Sequence, residues 1–168
     1  MKHTSETLFD IKIERFVFDD IDNQKLALEI LDQQKRMSDN PDDSFYEDTI
    51  FDPEPNSEGK KAFDKFVELF KGHNYSIYQH WTHIHQPLES TSSHRHGKYP
   101  YSFVYYVKVP TGSGNLIFEL DQIVSVIEPK VGNMIVFPGW LKHKVSKNIG
   151  KEIRISWSGN LGNIFFRP

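Results

Sequence analysis

Hydrophobic and polar positions alternate near the start of the chain. Residues 9–14 read Phe-Asp-Ile-Lys-Ile-Glu, and this period of two predicts a half-buried β-strand. Farther on, Leu26, Ile30 and Leu31 recur at helical spacing after Asp22, a residue type that favours the N-cap position. A first helix is therefore expected to run from Asp22 toward Met37.

A second helix is predicted after an acidic stretch that contains several prolines. Residues 37–59 carry acidic side chains but no lysine or arginine, which is typical of a loop. We interpret this stretch as a solvated loop; the alternative is that residues 38–56 form a lid over a site. Ser57 then precedes apolar positions at helical spacing, so a helix is expected to end near Gly72.

Short β-strands are predicted for the rest of the chain. Turn-forming residues separate apolar or alternating segments at 75–81, 102–109, 115–119, 124–128, 133–137, 144–147 and 153–158. Many short strands after two helices predict a mainly β fold of the α+β type, a sandwich or barrel with the helices packed on a sheet. A chain of 168 residues is expected to form one domain, with a helical and strand part at 1–74 and a β core at 75–168.

Composition narrows the chemistry that the chain can support. The sequence has no cysteine, which excludes disulfides, thiolate metal sites and a cysteine nucleophile, so any metal would be held by nitrogen and oxygen atoms. The net charge of -3 and the dispersed basic residues do not indicate nucleic-acid binding. No apolar run is long enough to span a membrane, and the first residues lack the apolar core of a signal peptide. These features predict a cytoplasmic protein.

Three histidines form the pattern with the clearest chemical meaning. His94 and His96 are one residue apart, so on extended backbone their side chains point to the same side and one metal can meet both. Imidazole is a common ligand of iron, zinc and copper, and the distant His143 would close one face of the coordination sphere. These three are the predicted metal ligands. The remaining histidines of the central region are interpreted as ordinary hydrogen-bonded or half-buried residues: His73, His80, His83 and His85.

Arg154 follows His143 along the chain and lies between Ile153 and Ile155. A guanidinium in an apolar strand is costly to bury unless an anion pairs with it, and its fork geometry matches a carboxylate. The alternatives are a salt bridge with an acidic side chain of the protein, or an arginine on an edge strand that reaches solvent.

Several segments resemble the 2-oxoglutarate- and iron(II)-dependent dioxygenases, in particular a small branch of bacterial and phage type. The segments are 93–96 with 102–107, 132–145 and 154–160. The resemblance covers the second half of the chain well and the helical start loosely. It implies a double-stranded β-helix, the jelly-roll fold also found in cupins, with iron inside one end of the barrel.

The resemblance also implies roles for individual residues. His94 would be the first ligand of iron(II) and His143 the distal ligand. Arg154 would bind the far carboxylate of the cosubstrate 2-oxoglutarate, and Ser156 would assist from the same side of the strand. A tyrosine would add a hydrogen bond to the cosubstrate; Tyr105 is the predicted contact, with Tyr99 and Tyr106 as other candidates. The alternative is that these aromatic residues belong to the core, as aromatic strand residues more often do.

The chain departs from the family pattern at one ligand position, where His96 replaces the usual carboxylate. A three-histidine site, or a two-histidine site with water in the vacancy, would be less anionic than the usual facial triad. Glu119 and Asp121 are the nearest downstream candidates for a missing acid.

The predicted function is that of an oxidoreductase, a dioxygenase that hydroxylates an unidentified substrate while 2-oxoglutarate is decarboxylated to succinate. The substrate would be a small molecule or a protein side chain. One alternative is a cupin-like metal-binding protein with a three-histidine site. Against it, the glutamate usual in cupins is replaced by Pro100 and Tyr101. The other alternative is a jelly-roll binding module without catalytic activity.

Overall fold

Two antiparallel sheets and two helices make up the described part of the chain. The computed structural model describes residues 1–8, 11–37 and 51–163. The elements are β1 (Lys2–Leu8), β2 (Ile11–Val17), α1 (Asn23–Met37), α2 (Glu58–Gly72), β3 (Tyr75–His85), β4 (Thr91–His94), β5 (Tyr101–Lys108), β6 (Leu116–Leu120), β7 (Ile123–Ile127), β8 (Asn133–Pro138), β9 (Lys142–Val145) and β10 (Arg154–Asn163). Most of the acidic stretch, including residues 38–50 of the suggested lid, lies outside the described residues.

The strands form a large and a small sheet. The large sheet has the order β1-β2-β8-β5-β10-β3, and the small sheet has the order β4-β9-β6-β7. Every neighbouring pair is antiparallel. This mostly β architecture with two helices confirms the predicted fold class, a jelly roll with N-terminal helices packed on the sheet.

The central strands of the large sheet, such as β5 and β8, are buried on both faces, and successive residues of a strand point to opposite sides. On β5, Phe103 and Tyr105 belong to the apolar core beneath the helices, where Trp157 of β10 is also buried. Val104 and Tyr106 belong to a second core between the two sheets. The helices thus cover one face of the large sheet, and the space between the sheets is left to hold a site.

Both helices form where the sequence predicts them, and their N-terminal N–H groups are capped. The Asp22 carboxylate accepts hydrogen bonds from the backbone N–H groups of Gln24 and Lys25 at the start of α1. The Ser57 hydroxyl accepts one from the backbone N–H of Lys60, 3.0 Å away. The buried residues Leu26 and Phe66 anchor the two helices in the core.

Two strands are not apparent from hydrophobic alternation. β1 pairs with β2 along its whole length, yet it is an edge strand whose residues 2–6 are exposed. β4 is short, polar and only partly buried. Backbone hydrogen bonding to a neighbouring strand sets their conformation, so no alternating pattern of side chains is needed. Among the described residues, neither helix has the length and apolar character required to cross a membrane.

Candidate metal centre

Three imidazoles converge at the edge between β4 and β9. His94 and His143 are opposite each other in the pairing of these strands, and their ring centroids are 4.3 Å apart. The ring of His96 lies 5.0 Å from that of His94 and 5.2 Å from that of His143. One nitrogen atom from each of the three lies within 4.8 Å of the others. This spacing suits three ligands of a single ion.

Backbone carbonyls orient two of the rings. The Nδ1 atom of His94 lies 2.8 Å from the carbonyl oxygen of Ser92, and the Nδ1 atom of His143 lies 2.8 Å from that of Leu141. Because a carbonyl only accepts, each Nδ1 carries the proton and each Nε2 presents its lone pair. Such outer hydrogen bonds are typical of metal-binding histidines.

Burial keeps His143 in the form that a metal requires. Desolvation lowers the pKa of His143 to about 4; the carbonyl of Leu141 opposes this shift, and the nearby His94 and His96 add to it. The imidazole is therefore neutral near neutral pH. Three imidazole nitrogen donors fit iron(II) or another divalent transition metal.

The two acidic candidates do not join the histidines. Glu119 is on β6, where its neighbour Phe118 is buried and opposite His143 in the strand pairing. Glu119 instead accepts a hydrogen bond from the Ser93 hydroxyl and forms an ion pair with Lys144. Asp121 is exposed, in the turn after β6. Within the described residues, the cluster contains no carboxylate.

A cavity of about 170 Å³ between the two sheets joins the histidines to Arg154. Arg154 is only 2% exposed, and no ion pair connects it with an acidic side chain of the described residues. Burial lowers the pKa of its guanidinium, although the nearby Tyr106 opposes the shift. The Nη2 atom of Arg154 is 3.5 Å from the hydroxyl of Ser156. Burying a guanidinium without a paired anion is costly, so we expect Arg154 to bind an anion from outside the protein.

Other polar atoms on the cavity wall lack partners as well. The Nε and Nη1 atoms of Arg154, the hydroxyl of Tyr106 and the Nδ1 atom of His85 are buried without a hydrogen bond. Arg154 and Tyr106 are close, since the guanidinium carbon lies 5.5 Å from the centre of the Tyr106 ring. An unsatisfied buried polar atom costs about 1–3 kcal/mol, so a ligand that pairs with several of them at once would bind with a corresponding gain.

The structure does not bring Tyr105 to this cavity. Its side chain lies on the helix side of the sheet, and its hydroxyl donates to the Asn23 side chain at 2.8 Å. Tyr106 lines the cavity instead. The difference follows from strand geometry, because adjacent residues on β5 face opposite sides. Tyr99 donates to Gln79 at 2.7 Å and does not line the cavity either.

Two histidines on the cavity wall were not among the residues that the sequence singled out. His83 and His85 both line the cavity, and their rings stack with centroids 3.9 Å apart. In the pairing of β3 with β10, His85 is opposite Arg154 and His83 is opposite Ser156. The signal was present, since His83-Ile84-His85 repeats the spacing of His94 and His96.

Comparisons with known proteins agree with this geometry. A family model described as "Putative 2OG-Fe(II) oxygenase" matches residues 119–160. That stretch includes His143, Arg154 and Ser156. None of the curated protein sequences matches the chain.

Solved structures share the fold over most of the chain. A prolyl-4-hydroxylase from Pseudomonas putida is 19% identical, with a TM-score of 0.70, and the match covers 90% of this chain and 92% of that one. HygX from Streptomyces hygroscopicus, solved with nickel and 2-oxoglutarate bound, is 10% identical, with a TM-score of 0.69 and coverage of 91% and 83%. The viral collagen prolyl hydroxylase of Paramecium Bursaria Chlorella virus-1, in its 2-oxoglutarate complex, is 17% identical, with a TM-score of 0.66 and coverage of 90% and 96%.

These likenesses are at low identity, and they show that the chain has the jelly-roll fold of those proteins. The family match adds a sequence signal within that fold. The chain is thus similar in fold to these 2-oxoglutarate- and iron(II)-dependent oxygenases, and it is similar in sequence to the family of putative 2OG-Fe(II) oxygenases over residues 119–160.

Proposed function

We propose that this protein is an iron(II)- and 2-oxoglutarate-dependent dioxygenase that hydroxylates a small molecule or a protein side chain and releases succinate. The observation that carries the proposal is a single cavity lined both by three convergent imidazoles and by an uncompensated buried guanidinium. A dicarboxylate that chelates a metal would meet both kinds of group at once. Hydroxylases of prolyl residues share the fold.

His94, His96 and His143 would hold the metal through Nε2 of His94, Nε2 of His143 and one nitrogen of His96. Bound iron(II) supplies the activation of dioxygen, and the protein supplies binding and orientation. The carbonyls of Ser92 and Leu141 keep the ligand nitrogens of His94 and His143 aimed at the ion. Three protein ligands would leave other coordination positions of the metal open.

Arg154 would bind the far carboxylate of 2-oxoglutarate through two N–H groups on one edge of its guanidinium, whose Nε and Nη1 atoms have no hydrogen-bond partner within the protein. A carboxylate accepts two hydrogen bonds from a guanidinium in a rigid fork, which fixes the orientation of the cosubstrate. Ser156 lies beside the guanidinium, and the Tyr106 hydroxyl would donate a further hydrogen bond. We assign this role to Tyr106 in place of Tyr105, because Tyr105 faces the helices.

The runner-up function is that of a cupin-like metalloprotein. It is favoured by one observation, the lack of a carboxylate among the clustered ligands of the described residues. Such a protein would bind the metal without needing Arg154. Cosubstrate binding therefore separates the two functions.

The test is a titration of the anaerobic iron(II) protein with 2-oxoglutarate, followed through the visible charge-transfer band of the chelated 2-oxo acid. We expect the wild type to develop the band, and Arg154→Ala to bind 2-oxoglutarate more than tenfold more weakly with nearly unchanged metal affinity, because a buried charged partner is worth about 2–5 kcal/mol. Arg154→Lys should recover part of the loss. Arg36→Ala, at an exposed arginine of α1, is the matched control. A wild type that shows no band would overturn the proposal.

A further inference from the structure

His85 is the buried polar side chain beside Arg154 that the proposed function does not yet use. It is 2% exposed, lines the cavity and is directly opposite Arg154 in the pairing of β3 with β10. Residues directly opposite each other in two paired strands have their side chains on the same face of the sheet, and their Cβ atoms lie within about 5.5 Å of each other. His85 is therefore an immediate neighbour of the guanidinium that would receive the far carboxylate.

Only one nitrogen of His85 has a partner. Its Nε2 atom lies 2.8 Å from the hydroxyl oxygen of Thr91, whereas its Nδ1 atom is buried with no hydrogen bond. The ring is neutral near neutral pH, because desolvation, Arg154 and His83 lower the pKa of His85 to about 2. A neutral imidazole has one N–H donor and one acceptor nitrogen, so the role of Thr91 determines what Nδ1 can do.

The Thr91 hydroxyl can either donate a hydrogen bond to an unprotonated Nε2 or accept one from Nε2–H. If Thr91 donates to Nε2, the proton of the ring is on Nδ1, which then faces the cavity as a donor. If Thr91 accepts from Nε2–H, the Nδ1 atom presents a lone pair that would repel a carboxylate. The other unpartnered cavity atoms nearby, on Arg154 and Tyr106, carry N–H and O–H donors. A carboxylate is the ligand that satisfies a set of donors converging in one place.

We infer that His85 donates from Nδ1–H to the far carboxylate of the cosubstrate, beside Arg154, and that the Thr91 hydroxyl acts as the positioning group that holds the required tautomer. This inference rests on the proposed function. It makes the cavity specific for 2-oxo acids with a second carboxylate. The two ends of β4 would then have different roles. Thr91 at its start would set the tautomer of His85, and His94 at its end would bind the metal.

The first experiment measures binding of 2-oxo acids to the zinc(II)-loaded protein by calorimetry. His85→Phe keeps an aromatic ring but cannot donate a hydrogen bond, whereas His85→Gln can. We expect His85→Phe to weaken 2-oxoglutarate binding about tenfold or more, the usual scale for a hydrogen bond to a charged group, and His85→Gln to recover part of this loss. Binding of 2-oxopentanoate, which lacks the second carboxylate, should be the same in the wild type and His85→Phe. His73→Phe, at an exposed histidine, is the control.

The second experiment reads the tautomer directly. Two-bond proton–nitrogen correlation spectra of the zinc(II) protein with 2-oxoglutarate should show His85 protonated at Nδ1, with Nε2 unprotonated and accepting from Thr91. A purely structural pairing in which Nε2–H donates to Thr91 would place the proton on Nε2 instead.

The outcomes separate this inference from the function on which it rests. A wild type that binds zinc but not 2-oxoglutarate would refute the proposed function and, with it, this inference. A wild type that binds 2-oxoglutarate while His85 is protonated at Nε2 would overturn the inference alone. Equal 2-oxoglutarate affinity in His85→Phe and the wild type would do the same.

Discussion

At the scale of single residues, the neighbours Tyr105 and Tyr106 show how one step along a strand changes a role. Tyr106 faces the cavity with an unpartnered hydroxyl, and burial raises the pKa of this phenol to about 12, so it remains a donor. Tyr105 is bonded to Asn23 on the other face. We expect Tyr106→Phe to weaken 2-oxoglutarate binding by about tenfold, and Tyr105→Phe to leave it unchanged. Calorimetry on the metal-loaded protein measures both, and the reverse order would contradict the assignment of Tyr106.

His96 occupies the position at which the family pattern has a carboxylate. Replacing this neutral ligand by an anionic one should strengthen the attraction for a divalent cation. We expect His96→Asp to bind manganese(II) about tenfold more tightly than the wild type, a difference of about 1.4 kcal/mol. The same substitution at the exposed His73 is the control. If the manganese affinity of His96→Asp equals that of the wild type, His96 does not contact the metal.

His85 should make the metal-free protein sensitive to acid. Its pKa is about 2 in the folded state, mainly because of burial, against about 6.5 in an unfolded chain. Between these two pKa values only the unfolded state binds a proton at His85. The free energy of unfolding is therefore unaffected by this group above about pH 6.5 and decreases as the pH falls from there toward 2. Between about pH 7 and pH 5, we expect the wild type to lose roughly 2 kcal/mol more unfolding free energy than His85→Gln.

Urea unfolding of both proteins at the two pH values measures this difference. His73→Gln, at the exposed histidine after α2, should follow the wild type. If the wild type and His85→Gln lose the same amount of unfolding free energy between the two pH values, His85 is not buried in its neutral form.

At the scale of elements, a carboxylate of one helix caps the other. The two Glu29 oxygens on α1 accept hydrogen bonds from the backbone N–H groups of Glu58 and Gly59, at 3.0 and 2.7 Å. These donors are in the first turn of α2, where the helix dipole also favours a negative charge. Such a contact between elements is invisible in a local sequence pattern, because the residues are 29 and 30 positions apart.

Loss of this cap should destabilise the packing of the helices. Glu29→Ala removes two hydrogen bonds to a charged group, and we expect it to lower the unfolding free energy by about 2 kcal/mol. Glu68→Ala, at an exposed glutamate of α2, should change it by less than about 0.5 kcal/mol. Chemical unfolding of the two variants makes the comparison. Equal effects would indicate that the Glu29 contact does not stabilise the fold.

At the scale of the whole molecule, the metal would stabilise the fold by binding the native state. The ligands are brought together from β4, the segment after it and β9, which approach one another only in the folded chain. Free manganese(II) at about 100 times its dissociation constant should add about 2.7 kcal/mol, or roughly 5–10 °C in Tm. A thermal scan of His143→Ala should lack this increase, and His73→Ala should retain it. An equal rise in His143→Ala would place the metal elsewhere.

Local pattern was sufficient for the helices and most strands. Apolar periodicity and the N-cap residues Asp22 and Ser57 predict α1 and α2 closely, because helix formation and capping depend on residues a few positions apart. Strands such as β8, buried on both faces, are recognisable from their apolar composition. β1 and β4 were missed because their conformation depends on a distant pairing partner.

The sequence by itself determined the fold class and the identities of the clustered histidines and the buried arginine, since residue type and spacing limit what each can bind. The tertiary structure decided which residues share the cavity. It separated Tyr106 from Tyr105, left Glu119 with lysines outside the histidine cluster, and placed His85 opposite Arg154. The physical reason is strand register: a shift of one residue exchanges the two faces of a sheet, and register is fixed by contacts between strands far apart in the chain.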